Sequence, residues 1–255
     1  MYNEWLKIGS FTVHGYGFMI AVGILMAFFV GERQAKKHGL NPDEVDNLIF
    51  ACLITGFLGS KLTFVLTNWS EFIKNPAAYL GSDGWVVYGG IIGGLIGGWL
   101  WCRFRKLDFK AYANLCFPLV ALAQGFGRIG CFFAGCCYGK ETHGFGLVFP
   151  KGSLAPSGVK LIPTQLISSF GDFLLFYILY KAYEDENTRD YVMGLYLVLY
   201  SIGRFIIEFF RGDEGRGFIG ALSTSQFIAI FMAIAGLCLL YFTKNRAKLT
   251  TTAGV

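Results

Sequence analysis

Arg128 lies in a long apolar segment, where a cation costs about 2.5–3.5 kcal/mol on membrane-insertion scales. Its surroundings read Gly125-Phe126-Gly127-Arg128-Ile129-Gly130-Cys131-Phe132-Phe133-Ala134-Gly135-Cys136-Cys137-Tyr138-Gly139. Such a guanidinium is expected to face the interior of a helix bundle and to meet an anion. On a helix, Gln124, Arg128, Cys131 and Gly135 follow steps of four, three and four, so they share one face. The glycines among them let a lipid or a second helix approach closely. Arg204, Glu208 and Arg211 form a second such face, at steps of four and three. Glu208 can neutralise one arginine of its own helix but not both. With Arg128 and Lys61 added, cations are expected to outnumber carboxylates. A phosphate would supply the missing anion, because arginine's planar fork matches its oxygens. A phospholipid headgroup site is the expectation; a structural ion pair on a buried stripe is the plainer alternative.

These side chains need membrane helices to hold them. The chain has 255 residues, 54% hydrophobic and only 15% charged, with mean hydropathy +0.50. That composition describes an all-α integral membrane protein, a single polytopic domain over residues 1–255. Each crossing needs about 20 apolar residues. Seven spans are expected, at about Tyr16 to Gly31, Asn47 to Thr67, Val87 to Cys102, Ala111 to Phe133, Gln165 to Tyr183, Tyr191 to Arg211 and Ser225 to Phe242. The first reads as an uncleaved transmembrane helix, since no basic n-region precedes it and no small-residue cleavage site follows. No internal repeat is visible.

Lysine and arginine collect after the first, third, fifth and seventh spans: Arg33, Lys36 and Lys37; Arg103, Arg105, Lys106 and Lys110; Lys181 and Arg189; Lys244, Arg246 and Lys248. The positive-inside rule then puts the N-terminus outside and the C-terminus in the cytoplasm. External loops fall at about 68–86 and 138–163, the second a possible lid or docking loop. The net charge of +5 sits in short loops and does not point to nucleic acid. In this orientation Arg128, Arg204, Glu208, Arg211, Lys61, His14, Tyr16 and Tyr88 all lie toward the outer leaflet. Polar groups from five spans thus converge on one level.

Other motifs leave more than one reading open. Tyr88-Gly89-Gly90-Ile91-Ile92-Gly93-Gly94 carries small residues at four-residue spacing. Close helix packing explains most of them, though Gly89 and Gly90 could border the headgroup site. His14 and Tyr16 are either interfacial anchors or lining residues. Cys131, Cys136 and Cys137 admit a disulfide, packing, or a reactive thiol; their spacing with His143 fits no standard zinc pattern. Gln124 and Pro163-Thr164-Gln165 could hydrogen-bond a glycerol or phosphate oxygen, or cap helices.

The residues quoted so far resemble the bacterial prolipoprotein diacylglyceryl transferase family. The likeness covers nearly the whole chain. It rests on His14-Gly15-Tyr16-Gly17, Gly56 through Lys61, the glycine run after Tyr88, Gln124 to Gly139, Pro163-Thr164-Gln165-Leu166 and Tyr200 through Arg211. The resemblance implies a multi-pass enzyme of the bacterial cytoplasmic membrane with its site toward the outer leaflet. It implies transfer of the sn-1,2-diacylglyceryl group from phosphatidylglycerol to the lipobox cysteine of a prolipoprotein signal peptide. A thioether forms and glycerol phosphate leaves, with no cofactor or metal. By position Arg128 and Arg204 are similar to the family's phosphate-binding arginines, Glu208 to its essential carboxylate and Tyr16 to its essential tyrosine. His14 and Tyr88 are further catalytic expectations. Lys61, Gly89, Gly90, Gln124, Gly127, Gly130, Cys131 and Arg211 are expected to bind substrate. Three positions depart from the family pattern: Tyr88 stands where histidine is usual, Cys131 for asparagine, and Lys61 for arginine. They keep open a related transferase with another acceptor, or a lipid-binding or transport protein.

Overall fold

The computed structural model describes residues 4–8, 11–81, 84–213 and 217–253. Residues 82 and 83 of the expected first external loop lie outside that set. The chain opens with a hairpin of β1 (Glu4–Ile8) and β2 (Phe11–His14), which leads directly into helix α1 (Gly15–Lys37). Helix α2 (Pro42–Thr67) starts where its residues demand it: Pro42 occupies the first turn and the Asn41 side chain accepts from Asp43 N at 3.0 Å. Two short helices follow, α3 (Trp69–Phe72) and α4 (Pro76–Gly81). Next come α5 (Val87–Arg105) and α6 (Phe109–Ala134). The small ladder of β3 (Leu147–Val148) and β4 (Lys160–Leu161) precedes α7 (Thr164–Glu184). Helix α8 (Val192–Ile207) runs into a 3-10 turn at Glu208–Phe210. A last hairpin, β5 (Phe218–Ile219) and β6 (Leu222–Ser223), leads into α9 (Thr224–Ala253).

Among the described residues, five helical segments are long and apolar enough to cross a membrane: α1, α2, α6, the stretch Arg189–Phe210 that contains α8, and the first part of α9. Helices α5 and α7 fall short of that standard. Glycines and a terminal arginine dilute α5, and Gln165, Ser168, Ser169 and Asp172 dilute α7. Helices α1, α2 and α9 run past the expected ends, because polar residues beyond an apolar stretch continue a helix at little cost.

The chain divides into two compact units, one of Met1–Val30 with Phe117–Val255 and one of Gly31–Cys116. The smaller unit is built on the α2–α5 seam, which is almost backbone against backbone. A Cβ on Gly93 would lie 2.4 Å from the Thr55 carbonyl oxygen, and one on Gly59 would lie 2.5 Å from that of Gly89. Neither neighbour can yield without moving a helix. Gly93→Ala is therefore expected to destabilise by about 1–3 kcal/mol or more. Thermal unfolding in detergent checks it, with Gly81→Ala, where an added Cβ meets nothing within 4 Å, expected to be silent.

In the larger unit α8 and α9 meet the same way: a Cβ on Gly236 would lie 3.0 Å from the Gly194 carbonyl oxygen. Segment 138–163, expected as a loop, has a small core of its own. Phe149, Ala155 and Leu161 are buried, with Phe132, Tyr138 and Val159 packed against them. Its backbone is joined to the end of α8: Lys140 N donates to Phe210 O at 2.8 Å and Gly212 N to Tyr138 O at 3.0 Å.

Candidate anion site between α6, α7 and α8

Three guanidinium groups gather in the larger unit. Arg128 projects from α6, with 21% of its side chain exposed, and its Nε lies 3.9 Å from Asp172 Oδ2 on α7. That separation is an ion pair without a hydrogen bond. Among the described residues the Arg128 guanidinium makes no hydrogen bond, and Asp172 Oδ2 is buried without a donor. Arg204 on α8 sits 3.0 Å from Glu208 Oε2 and donates to Ser225 Oγ at 2.8 Å. Glu208 also faces Arg211 Nη1 at 3.7 Å. Arg211 grips Asp213 with its fork, Nε at 2.9 Å and Nη2 on the second oxygen.

Within the larger unit the expected excess of cations is not found: Arg128, Arg204 and Arg211 are matched in number by Asp172, Glu208 and Asp213, while Lys61, counted in that excess, belongs to the smaller unit. Asp172 and Asp213 were both missing from the expected set. A carboxylate inside an apolar helix is itself a signal, and Asp172 could have been found that way. The pairing is uneven, however. Arg211 is saturated and Arg204 is held on both sides, whereas Arg128 keeps its donors.

Those donors border a cavity of about 490 Å³, of the usual size for a ligand site. Arg128, Thr142, Ser168, Asp172, Tyr200 and Arg204 are its polar lining; Leu175, Leu199, Ile207 and Phe210 are among its apolar walls. Ile167 and Ile206 also line it and are 45% and 53% exposed, so it opens between α7 and α8. A charged end with an apolar, side-opening wall suits an amphiphile.

Tyr16, at the start of α1, lies against α6. A Cβ on Gly130 would stand 3.1 Å from the Tyr16 carbonyl oxygen, so glycine there permits the contact. Gly127 has nothing within 4 Å of such a Cβ and leaves open space beside Arg128. Gln124 accepts from Tyr196 OH at 3.0 Å and does not line the cavity. His14 ends β2, exposed, paired with Glu4 in the hairpin. Lys61, Tyr88, Gly89 and Gly90 belong to the smaller unit. There Lys61 Nζ lies over the Trp85 ring at 4.7 Å, and Gly89 and Gly90 face α2 in the glycine seam. Tyr88 is exposed on α5.

Cys131, Cys136 and Cys137 are free thiols, so the disulfide reading finds no bond here. The neighbouring Cys131 and Cys136 thiols, with Arg211 and Arg128 nearby, hold the Cys137 thiol below its ordinary range. The expected capping role of Pro163-Thr164-Gln165 is taken up by this loop: Thr164 Oγ1 donates to Cys137 O at 2.7 Å and Gln165 Nε2 to Cys136 O at 2.8 Å.

Apolar helices around a side-opening cavity lined by Arg128 and Arg204 define a multi-pass membrane protein. A sequence profile described as prolipoprotein diacylglyceryl transferase matches residues 3–242. The chain belongs to that family. It is 41% identical over 248 residues to phosphatidylglycerol–prolipoprotein diacylglyceryl transferase 2 of Clostridium perfringens, covering 96% of each chain. It is 45% identical over 235 residues to the phosphatidylglycerol–prolipoprotein diacylglyceryl transferase of Clostridium tetani, covering 91% of this chain and 93% of the relative.

Proposed function

We propose that this chain transfers the diacylglyceryl group of phosphatidylglycerol to the lipobox cysteine thiol of a prolipoprotein. The observation that carries it is Arg128, its hydrogen-bond donors unused among the described residues, lining the cavity. The bond between glycerol C3 and the phosphate oxygen breaks as the thiol sulfur bonds to that carbon. The thiol proton is lost and glycerol phosphate leaves. Charge develops on the departing phosphate, where Arg128 and Arg204 stabilise it. Glu208, set between Arg204 and Arg211, positions the Arg204 fork. Asp172 lines the cavity with one oxygen unbonded, and is the carboxylate placed to receive the thiol proton.

The proposal includes seven spans in one polytopic domain of the bacterial inner membrane. The N-terminus is outside, the C-terminus is cytoplasmic, and loops 68–86 and 138–163 are external. What supports the orientation is the alternation of lysine- and arginine-rich segments. The roles given to His14, Lys61, Tyr88, Gly89 and Gly90 rest on their expected level near the outer leaflet and on the family resemblance. The test is direct: purified protein, labelled phosphatidylglycerol and a lipobox peptide are expected to give a thioether product by mass spectrometry. The peptide's Cys→Ser form gives none. Absence of product from the cysteine peptide would overturn the assignment.

A further inference from the structure

We propose that Cys131, Cys136 and Cys137 form a three-thiolate site for a zinc ion. Their three sulfur atoms lie within 4.8 Å of one another. Sulfurs around one tetrahedral zinc, with Zn–S near 2.3 Å, stand about 3.8 Å apart. Small side-chain rotations close that difference. The convergence is built by the backbone. Cys131 lies in the last turn of α6, and two left-handed residues then fold the chain back, Gly135 at φ 75° and Cys137 at φ 58°. A left-handed conformation at a residue other than glycine costs energy and gathers at functional sites.

The loop is also fixed from outside. Thr164 and Gln165, both almost wholly buried, hold the carbonyls of Cys137 and Cys136. Cys136 N donates to Cys131 O at 3.2 Å. The three thiols are half-buried, so an ion can reach them. Their surroundings favour the charge that results. Zinc with three thiolates carries one net negative charge, and Arg128 and Arg211 both act on this cluster. Soft sulfur ligands select zinc over magnesium or calcium. On binding, each thiol gives its proton to solvent and the sulfur lone pair goes to the metal. Three ligands leave the fourth tetrahedral position to water.

The experiment uses the full chain in detergent under a phosphine reductant, without lipid or peptide, so the result is independent of diacylglyceryl transfer. After zinc loading and desalting, one zinc per chain is expected by elemental analysis. Loading with Co2+ instead is expected to give the strong near-ultraviolet sulfur-to-cobalt charge transfer of a thiolate site. C131S, C136S and C137S are each expected to weaken zinc retention at least about tenfold, whereas C52S and C238S leave it unchanged. The cobalt spectrum of the unmutated protein keeps the test valid should a serine variant fold poorly. No retained zinc, retention in C131S, C136S and C137S equal to that of the unmutated protein, or a disulfide among the three in unreduced digests would overturn the site.

Discussion

Replacing Arg128 with alanine is expected to lower diacylglyceryl transfer by about 100- to 1000-fold. Its donors face the cavity and none is used within the described protein, so they act on whatever anion enters. The leaving phosphate gains charge as the carbon–oxygen bond breaks, so the loss should fall on kcat as well as kcat/KM. Arg128→Lys is expected to recover only part of the rate, because a point charge lacks the two-pronged contact. The same change also strands Asp172, a mostly buried carboxylate. Arg128→Ala with Asp172→Asn is therefore expected to restore thermal stability without restoring turnover. Wild-type kcat in Arg128→Ala, with the protein folded, would remove the proposed role.

Glu208→Gln should have the largest effect on folding. The Glu208 side chain is only 1% exposed and stands between Arg204 and Arg211. Glutamine keeps the shape and removes the charge, so two guanidiniums are left facing each other with one counterion fewer. Breaking a buried ion network in this way costs about 3–5 kcal/mol. A lowered melting temperature in detergent is the readout. Arg204 would lose its orientation as well, so transfer should fall with stability. A Glu208→Gln protein that melts like wild type would show that the two arginines do not depend on this carboxylate.

Charges in apolar segments are conspicuous, and for that reason Arg128, Arg204, Glu208 and Arg211 could be found from residue types and spacing alone. Which partner each meets across helices could not be read the same way. Whether Asp172 on α7 reaches Arg128 on α6 depends on how two helices are rotated, and no spacing along one helix encodes that. Asp213 lies beyond the last turn, where helical periodicity has ended. The three cysteines were conspicuous, but the convergence of their sulfurs was not, because it depends on left-handed backbone at Gly135 and Cys137. Sequence offers a hint of that only at the glycine. The strands are two to five residues long, too short for an alternating pattern to show. The glycine seam of α2 and α5 was readable as close packing because small residues every fourth position have few other uses in a membrane helix.

The joint between segment 138–163 and the end of α8 has a mechanical consequence. Lys140 and Gly212 are each bonded to the opposite segment, and glycine at 212 lets the two backbones touch, since a Cβ there would stand 2.6 Å from the Gly139 carbonyl oxygen. Arg211 lies inside that seam, bridged to Gly139. Segment 138–163 cannot swing away like a flap while these bonds hold. Any displacement that admitted a peptide would drag Arg211 along, loosen its hold on Glu208 and so register at Arg204: entry of one substrate would be felt at the groups that grip the other.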